Sequence, residues 1–130
     1  HLLLDSQKAL IMDMEAGIEH LGRATADCVD AFIVIVEPGQ RSIRTLKTIK
    51  KLAEDLGVKK IFAVGNKIRN KEEKDYILKA CGDVPVLGFL SYDPDLVEID
   101  RLGETPIKTC ILYTNQVESI KDSILKAIDN

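Results

Sequence analysis

Three short groups of polar residues have the types and spacing to do chemistry. The first is Asp13-Met14-Glu15-Ala16-Gly17, which follows the apolar run Ala9-Leu10-Ile11-Met12. A carboxylate at the C-terminal end of a buried parallel strand stands where ligands bind in open α/β sheets. A hard cation such as Mg²⁺ takes such an oxygen directly or through water. Gly17 offers a backbone N–H that a phosphate can approach with no Cβ in the way. The second and third groups are Glu37-Pro38 and Asn66-Lys67, each placed directly after an apolar run. One aspartate after a strand is commonly only a helix cap. Three such strand ends in one sheet would line a single rim, which is a much more specific signal. The Gly-rich loop ending in Lys-Ser/Thr, which cradles phosphates in nucleotide triphosphatases, does not occur in the 130 residues.

The elements that must position these groups alternate in type. Residues 9–14 read as a first strand, and residues 18–28 as a short helix with Ile18, Leu21, Ala24 and Cys28 near helical spacing. Residues 2–8 fit a helix or a loop equally well. Asp30 introduces Ala31-Phe32-Ile33-Val34-Ile35-Val36, a β-branched run that predicts a strand buried on both faces. Glu37-Pro38-Gly39 breaks it. An amphipathic helix follows, with Ile43, Leu46, Ile49, Leu52, Ala53 and Leu56 as its apolar stripe and Gly57 as its stop. Residues 60–65 predict a third strand, 71–81 a charged helix, 84–90 a fourth strand and 94–102 a short helix. Thr105-Pro106 reads as a break, and 115–129 as a last helix with Val117, Ile120, Ile124, Leu125 and Ile128 inward. Strand–helix alternation predicts an α/β domain over residues 1–130, with a mostly parallel sheet and helices on both faces.

Composition narrows the function classes. Hydrophobic content of 45% and charged content of 30% are those of a globular domain, and no apolar run approaches the length of a membrane span. The net charge of −3 argues against nucleic-acid binding through overall charge. A local basic face remains on the long helix in Arg41, Arg44, Lys47, Lys50 and Lys51, where a solvated surface is the simpler reading. Cys28, Cys81 and Cys110 are widely spaced and form no Cys-x-x-Cys pair, so neither a disulfide framework nor a zinc site is expected. Three reduced, mostly buried thiols fit a cytoplasmic protein. The chain opens on His1 rather than Met, so a longer parent protein is expected.

In wording as well as order, these motifs resemble the C-terminal half of a MinD/ParA-type deviant-Walker ATPase, and within it the CooC-type accessory proteins of carbon monoxide dehydrogenase. Ile11 to Arg23 carries the resemblance most specifically, since Asp13-Met14-Glu15-Ala16-Gly17-Ile18-Glu19-His20 stands where most of the superfamily has Asp-x-Pro-Ala-Gly. Val36-Glu37-Pro38 with Arg41-Ser42, Val64-Gly65-Asn66-Lys67, Pro85-Val86-Leu87-Gly88, Asp93-Pro94 and Gly103-Glu104-Thr105-Pro106 extend it over residues 9–128.

The resemblance implies a set of roles. Asp13 would order Mg²⁺ through water, and Gly17 would sense the γ-phosphate of ATP. The switch region around them, including Glu15, Ala16, Glu19, His20 and Arg23, would move between the ATP and ADP states. Asn66 would bond the adenine, the Lys67 stem would pack nearby, and Ser91-Tyr92-Asp93-Pro94 would close over the base. Guanine-selective sites of the Asn-Lys-x-Asp type place a carboxylate where this chain has Arg69, which has donors only, so adenine is favoured. Nickel, the family's cargo, would be held upstream by a Cys-x-Cys pair shared across a homodimer, and no such pair occurs here. His20, alone beside Glu19, lacks the convergent donors of a transition-metal site.

Two expectations follow from the missing phosphate loop: these residues alone hydrolyse no ATP and bind it poorly, and the sheet has an open edge suited to pairing with another chain. The implied client is carbon monoxide dehydrogenase, with neither nucleic acid nor membrane as a partner. Two other readings stand beside this one. A partitioning or division-site ATPase would share the superfamily, although Glu15 replaces the usual proline. A non-catalytic flavodoxin-like or receiver-like module would need an acidic pair and a lysine that Asp13 and Lys67 supply in the wrong order and spacing.

Overall fold

In the computed structural model, the described residues are 9–14 and 22–130. Three strands, β1 (Phe32–Val36), β2 (Ile61–Ile68) and β3 (Val86–Ser91), form a parallel sheet in the order β1-β2-β3. Helix α1 (Arg23–Ala26) precedes β1, α2 (Gln40–Leu56) joins β1 to β2, and α3 (Lys71–Cys81) joins β2 to β3. Helices α4 (Pro94–Arg101), α5 (Pro106–Thr109) and α6 (Ile111–Asp129) follow β3. A parallel pair needs a crossover long enough to return to the same end of the sheet, and α2 and α3 are those crossovers.

Local chemistry sets the helix ends. Asn70 caps α3 by accepting the Glu73 N–H at 2.9 Å, while the Glu73 carboxylate accepts the Arg69 N–H at 2.6 Å. Asp93 caps α4 by accepting the Asp95 N–H at 2.9 Å, with Pro94 in the first turn. Gly57 ends α2 at φ 80°, a left-handed conformation that glycine adopts without a Cβ clash.

The sheet is covered by helices on both faces. Val34 and Ala63, opposed in register, pack with Leu46 and Ala53 of α2 and Ile77 of α3 into one buried cluster. On the other face α6 lies over β3, so close that a Cβ on Gly88 would stand 2.6 Å from the Ile120 side chain. Gly65 lets Phe89 and Ile77 meet over β2, because a Cβ there would stand 2.5 Å from the Phe89 ring.

Several boundaries differ from expectation among the described residues. Residues 9–14 form no strand: Leu10 is 66% exposed and Ile11 83%. A strand must satisfy its backbone groups on a neighbour, and no described strand pairs with these residues. The run in β1 is buried on one face only. Val34 and Val36 are buried, whereas Ile33 and Ile35, on the opposite face, are exposed, α6 packing mainly against β3. Of the stretch 18–28 read as the first helix, residues 18–21 lie outside the described residues, Arg23–Ala26 is helical, and Gly22, Asp27 and Cys28 are not. The stretch read as a break at Thr105-Pro106 starts α5, and α6 begins at Ile111 with Leu125 turned outward. Of the cysteines, Cys81 is buried, Cys110 half-buried and Cys28 exposed.

Candidate site at the C-terminal rim of the sheet

β2 runs past Gly65 through Asn66 and Lys67 to Ile68, three residues beyond its expected end. The pairing with β3 passes from Gly65↔Phe89 to Ile68↔Ser91, so β2 fits in one residue more than its partner. Asn66-Lys67 therefore lies on a β-bulge, a device that re-aims side chains at the edge of a site. Lys67 has φ 56°, the one non-glycine positive φ among the described residues. A Cβ in that region is sterically disfavoured, and the conformation is accompanied by an ion pair from the Lys67 ammonium to the Glu37 carboxylate at 2.7 Å. Glu37 is itself positioned just beyond β1, its N–H donating to the Ser42 hydroxyl at 2.9 Å. Asn66 beside it is half-buried.

The end of β3 is tied down from two sides. The Tyr92 N–H donates to the Ile68 carbonyl at 2.9 Å, continuing the ladder. The Arg69 guanidinium stacks over the Tyr92 ring, 4.3 Å from its centroid, and lies 3.8 Å from the Glu73 carboxylate. Gln116 of α6 holds Ser91 twice: its carbonyl accepts the Ser91 N–H at 3.0 Å, and its amide donates to the Ser91 hydroxyl at 2.8 Å. Asp93 faces the Cys110 thiol at 3.8 Å. Burial, then the Asp93 and Asp95 carboxylates, push that thiol above its ordinary range, so it is a poor nucleophile.

The structure thus brings Glu37, Asn66, Lys67, Ser91, Tyr92, Asp93 and Pro94 to the C-terminal ends of the three strands. It does not bring Asp13 there on a strand. Asp13 is exposed and lines an open cleft of about 400 Å³ with Met12, Met14, Ala24 and Cys28. Glu15, Ala16, Gly17, Glu19 and His20 lie outside the described residues, as does the side chain of Arg23. The donors present do not amount to a cation site: among the described residues no three His, Cys, Asp or Glu side chains converge. The larger cleft, about 450 Å³, lies at the opposite end of the sheet, where Lys60, Ile61, Pro85 and Asn130 meet.

Two rim contacts have no signature in the sequence. Gln116 lies 25 residues from Ser91, in a segment read only as an amphipathic helix. Arg69 draws attention through base selection, but its stacking on Tyr92 depends on the register of β2 and β3.

No protein-family model matches the chain. The ATP-binding protein MJ0823 of Methanocaldococcus jannaschii is 41% identical over 129 residues, 97% of this chain and 49% of that protein. The carbon monoxide dehydrogenase accessory protein CooC of Rhodospirillum rubrum is 37% identical over 103 residues, 79% of this chain and 39% of its own length. Among solved structures, the cell division protein MinD of Aquifex aeolicus superposes with a TM-score of 0.68 at 18% identity, over 85% of this chain and 50% of that one. The chain is homologous to CooC and shares the MinD-like P-loop ATPase fold. It spans half the length, or less, of the curated relatives it matches. In the MinD-like fold, the rim described above lies at the C-terminal ends of the strands, the general location of ligand sites in open α/β sheets.

Proposed function

We propose that the chain supplies the base-contacting rim and the switch segment of a cytoplasmic, ATP-dependent accessory protein that matures a metal centre. Nickel insertion into carbon monoxide dehydrogenase is the activity this reading assigns to the whole protein, acting as a homodimer. The observation that carries it is the rim itself, where Asn66 and Lys67 sit on a bulge against Glu37 and beside the tethered loop 91–94. The 37% sequence identity with CooC over 79% of the chain supports the choice of client.

In this reading Asn66 offers both an amide donor and a carbonyl acceptor to adenine, the pairing its edge requires. The aliphatic stem of Lys67 and the loop at Ser91, Tyr92, Asp93 and Pro94 flank the base. ATP, when bound, supplies the hydrolysable phosphate whose loss resets the switch segment. Asp13 would hold Mg²⁺ through water and Gly17 would read that phosphate, with Glu15, Ala16, Glu19, His20 and Arg23 following it. The residues present fit the base end of the nucleotide. At the phosphate end the chain has neither the backbone cradle nor its lysine.

Titration of the isotope-labelled chain with ATP, ADP, adenosine and GTP tests this reading. Adenine ligands are expected to shift the amide resonances of Asn66, Lys67 and residues 91–93. Base contacts alone support a dissociation constant of about 1 mM or weaker. GTP should bind less well, and phosphate release should stay at background. Submicromolar MgATP binding would overturn the missing-cradle argument, and shifts confined to other residues would overturn the base site.

A further inference from the structure

The most exposed large aliphatic side chains outside residues 9–14 are concentrated in one corner. Val97 of α4 is 66% exposed, Leu102 58%, Ile107 of α5 62%, Ile111 79% and Leu112 60% at the start of α6. Five such residues lie within positions 97–112. Apolar surface gathered this way, fringed by charge, marks interaction sites in soluble proteins.

The corner is one folded unit rather than a loose tail. The Glu104 N–H donates to the Ile99 carbonyl at 3.0 Å, and Ile99 is the buried residue of α4. The Thr114 hydroxyl of α6 contacts the Ile107 carbonyl of α5 at 3.2 Å and the Cys110 carbonyl at 2.9 Å. Cys110 in turn faces Asp93, the cap of α4. The exposed side chains therefore project from backbone that is already ordered, which lowers the entropy lost on binding.

Charge points to the occupant. Positions 93–112 carry five acidic residues, Asp93, Asp95, Glu98, Asp100 and Glu104, against Arg101 and Lys108. That excess equals the chain's whole net charge of −3, so the other residues balance to zero. Arg101 is engaged within the corner, its Nε donating to Glu98 at 2.9 Å. A two-fold contact of this face with itself would set acid against acid. The basic face of α2 on a second copy carries charge, but its exposed positions Arg41, Arg44, Lys47 and Lys51 offer no apolar side chain to fill the corner. An anionic lipid surface is repelled. We propose that α4, α5 and the first turn of α6 form a docking surface for a basic amphipathic segment of a partner protein.

The probe is an amphipathic peptide of leucines and lysines at helical spacing, titrated calorimetrically against the chain. Controls are a peptide of the same apolar face with glutamates in place of the lysines, and anionic vesicles. Saturable 1:1 binding is expected for the lysine peptide alone, weakening with salt. Ile107→Ser with Ile111→Ser should weaken it about tenfold or more, since each loses a buried aliphatic contact. Asp100→Asn with Glu104→Gln should weaken it severalfold while leaving the fold intact, as judged by circular dichroism. Equal binding of both peptides, binding unaffected by either pair of substitutions, preferential binding to vesicles, or concentration-dependent self-association through this face in sedimentation would overturn the proposal. The docking surface stands or falls independently of the nucleotide site, because none of the substituted residues belongs to the rim.

Discussion

The two stretches with the strongest chemical signals in this chain end in opposite physical states. Asn66-Lys67 is held by a bulged ladder, an ion pair and a neighbouring loop bonded to α6. Residues 9–14, which precede the most specific motif of all, run exposed and unpaired with any described strand. Asn66-Lys67 follows an apolar run, and residues 9–14 contain one. The difference is neighbours: β2 lies between β1 and β3 and satisfies its backbone on both sides. Hydrophobicity makes a segment available for burial, but only a partner ladder makes it a strand.

The largest test of that contrast is a pair of truncations. Ile77→Ala, at a fully buried position under β2, should cost about 2–5 kcal/mol in urea unfolding. Ile11→Ala should change stability by no more than about 0.5 kcal/mol. A comparable cost for both would mean that residues 9–14 are packed in solution, and the comparison would fail.

A smaller effect is expected at the tether. Gln116→Leu removes two hydrogen bonds and leaves the Ser91 N–H and hydroxyl without that partner. The expected loss is about 1–3 kcal/mol, with faster hydrogen exchange at Ser91 and Tyr92. Unchanged exchange would mean that α6 does not hold the rim.

The sequence carried the α/β class, the long apolar stripe of α2, the stop at Gly57 and the cap-rich starts of α3 and α4, because each depends on residues within one or two turns of each other. It also carried Glu37 and Asn66-Lys67 as rim residues. It did not carry the bulge beneath Asn66-Lys67, the ion pair between Glu37 and Lys67, or the Gln116 tether. Those depend on register between elements distant in the chain. The one-sided burial of β1 was hidden for the same reason: Ile33 and Ile35 read as core until the position of α6 is known.

The smallest effect belongs to the end of the sheet opposite the rim. Lys50 donates to Asp83 at 2.7 Å, and this bond, with the charge behind it, holds the Asp83 carboxyl below its usual range and raises the Lys50 ammonium. A depressed carboxyl contributes stability above its unfolded value and loses it as pH falls through the folded one. A raised ammonium contributes below its unfolded value and loses it as pH rises through the folded one. The pair should therefore weaken at both extremes. Between about pH 6 and pH 3 the natural chain should lose slightly more stability than Asp83→Asn. Both side chains are at the surface, so the difference should fade in high salt. A difference that grows with salt would count against the ion pair.

By itself, the amino-acid sequence determined the alternation of strand and helix, the kinship to CooC, and the residue types at the rim, all of which are written in local spacing and wording. Tertiary structure alone decided which strand ends meet. Parallel strands receive their neighbours through crossovers, so register, bulge and rim geometry are fixed by contacts between residues far apart in the chain. The exposed corner of α4, α5 and α6 belongs to the same class. Nothing in local spacing marks its leucines, isoleucines and valine as exposed, and only packing shows that nothing among the described residues covers them.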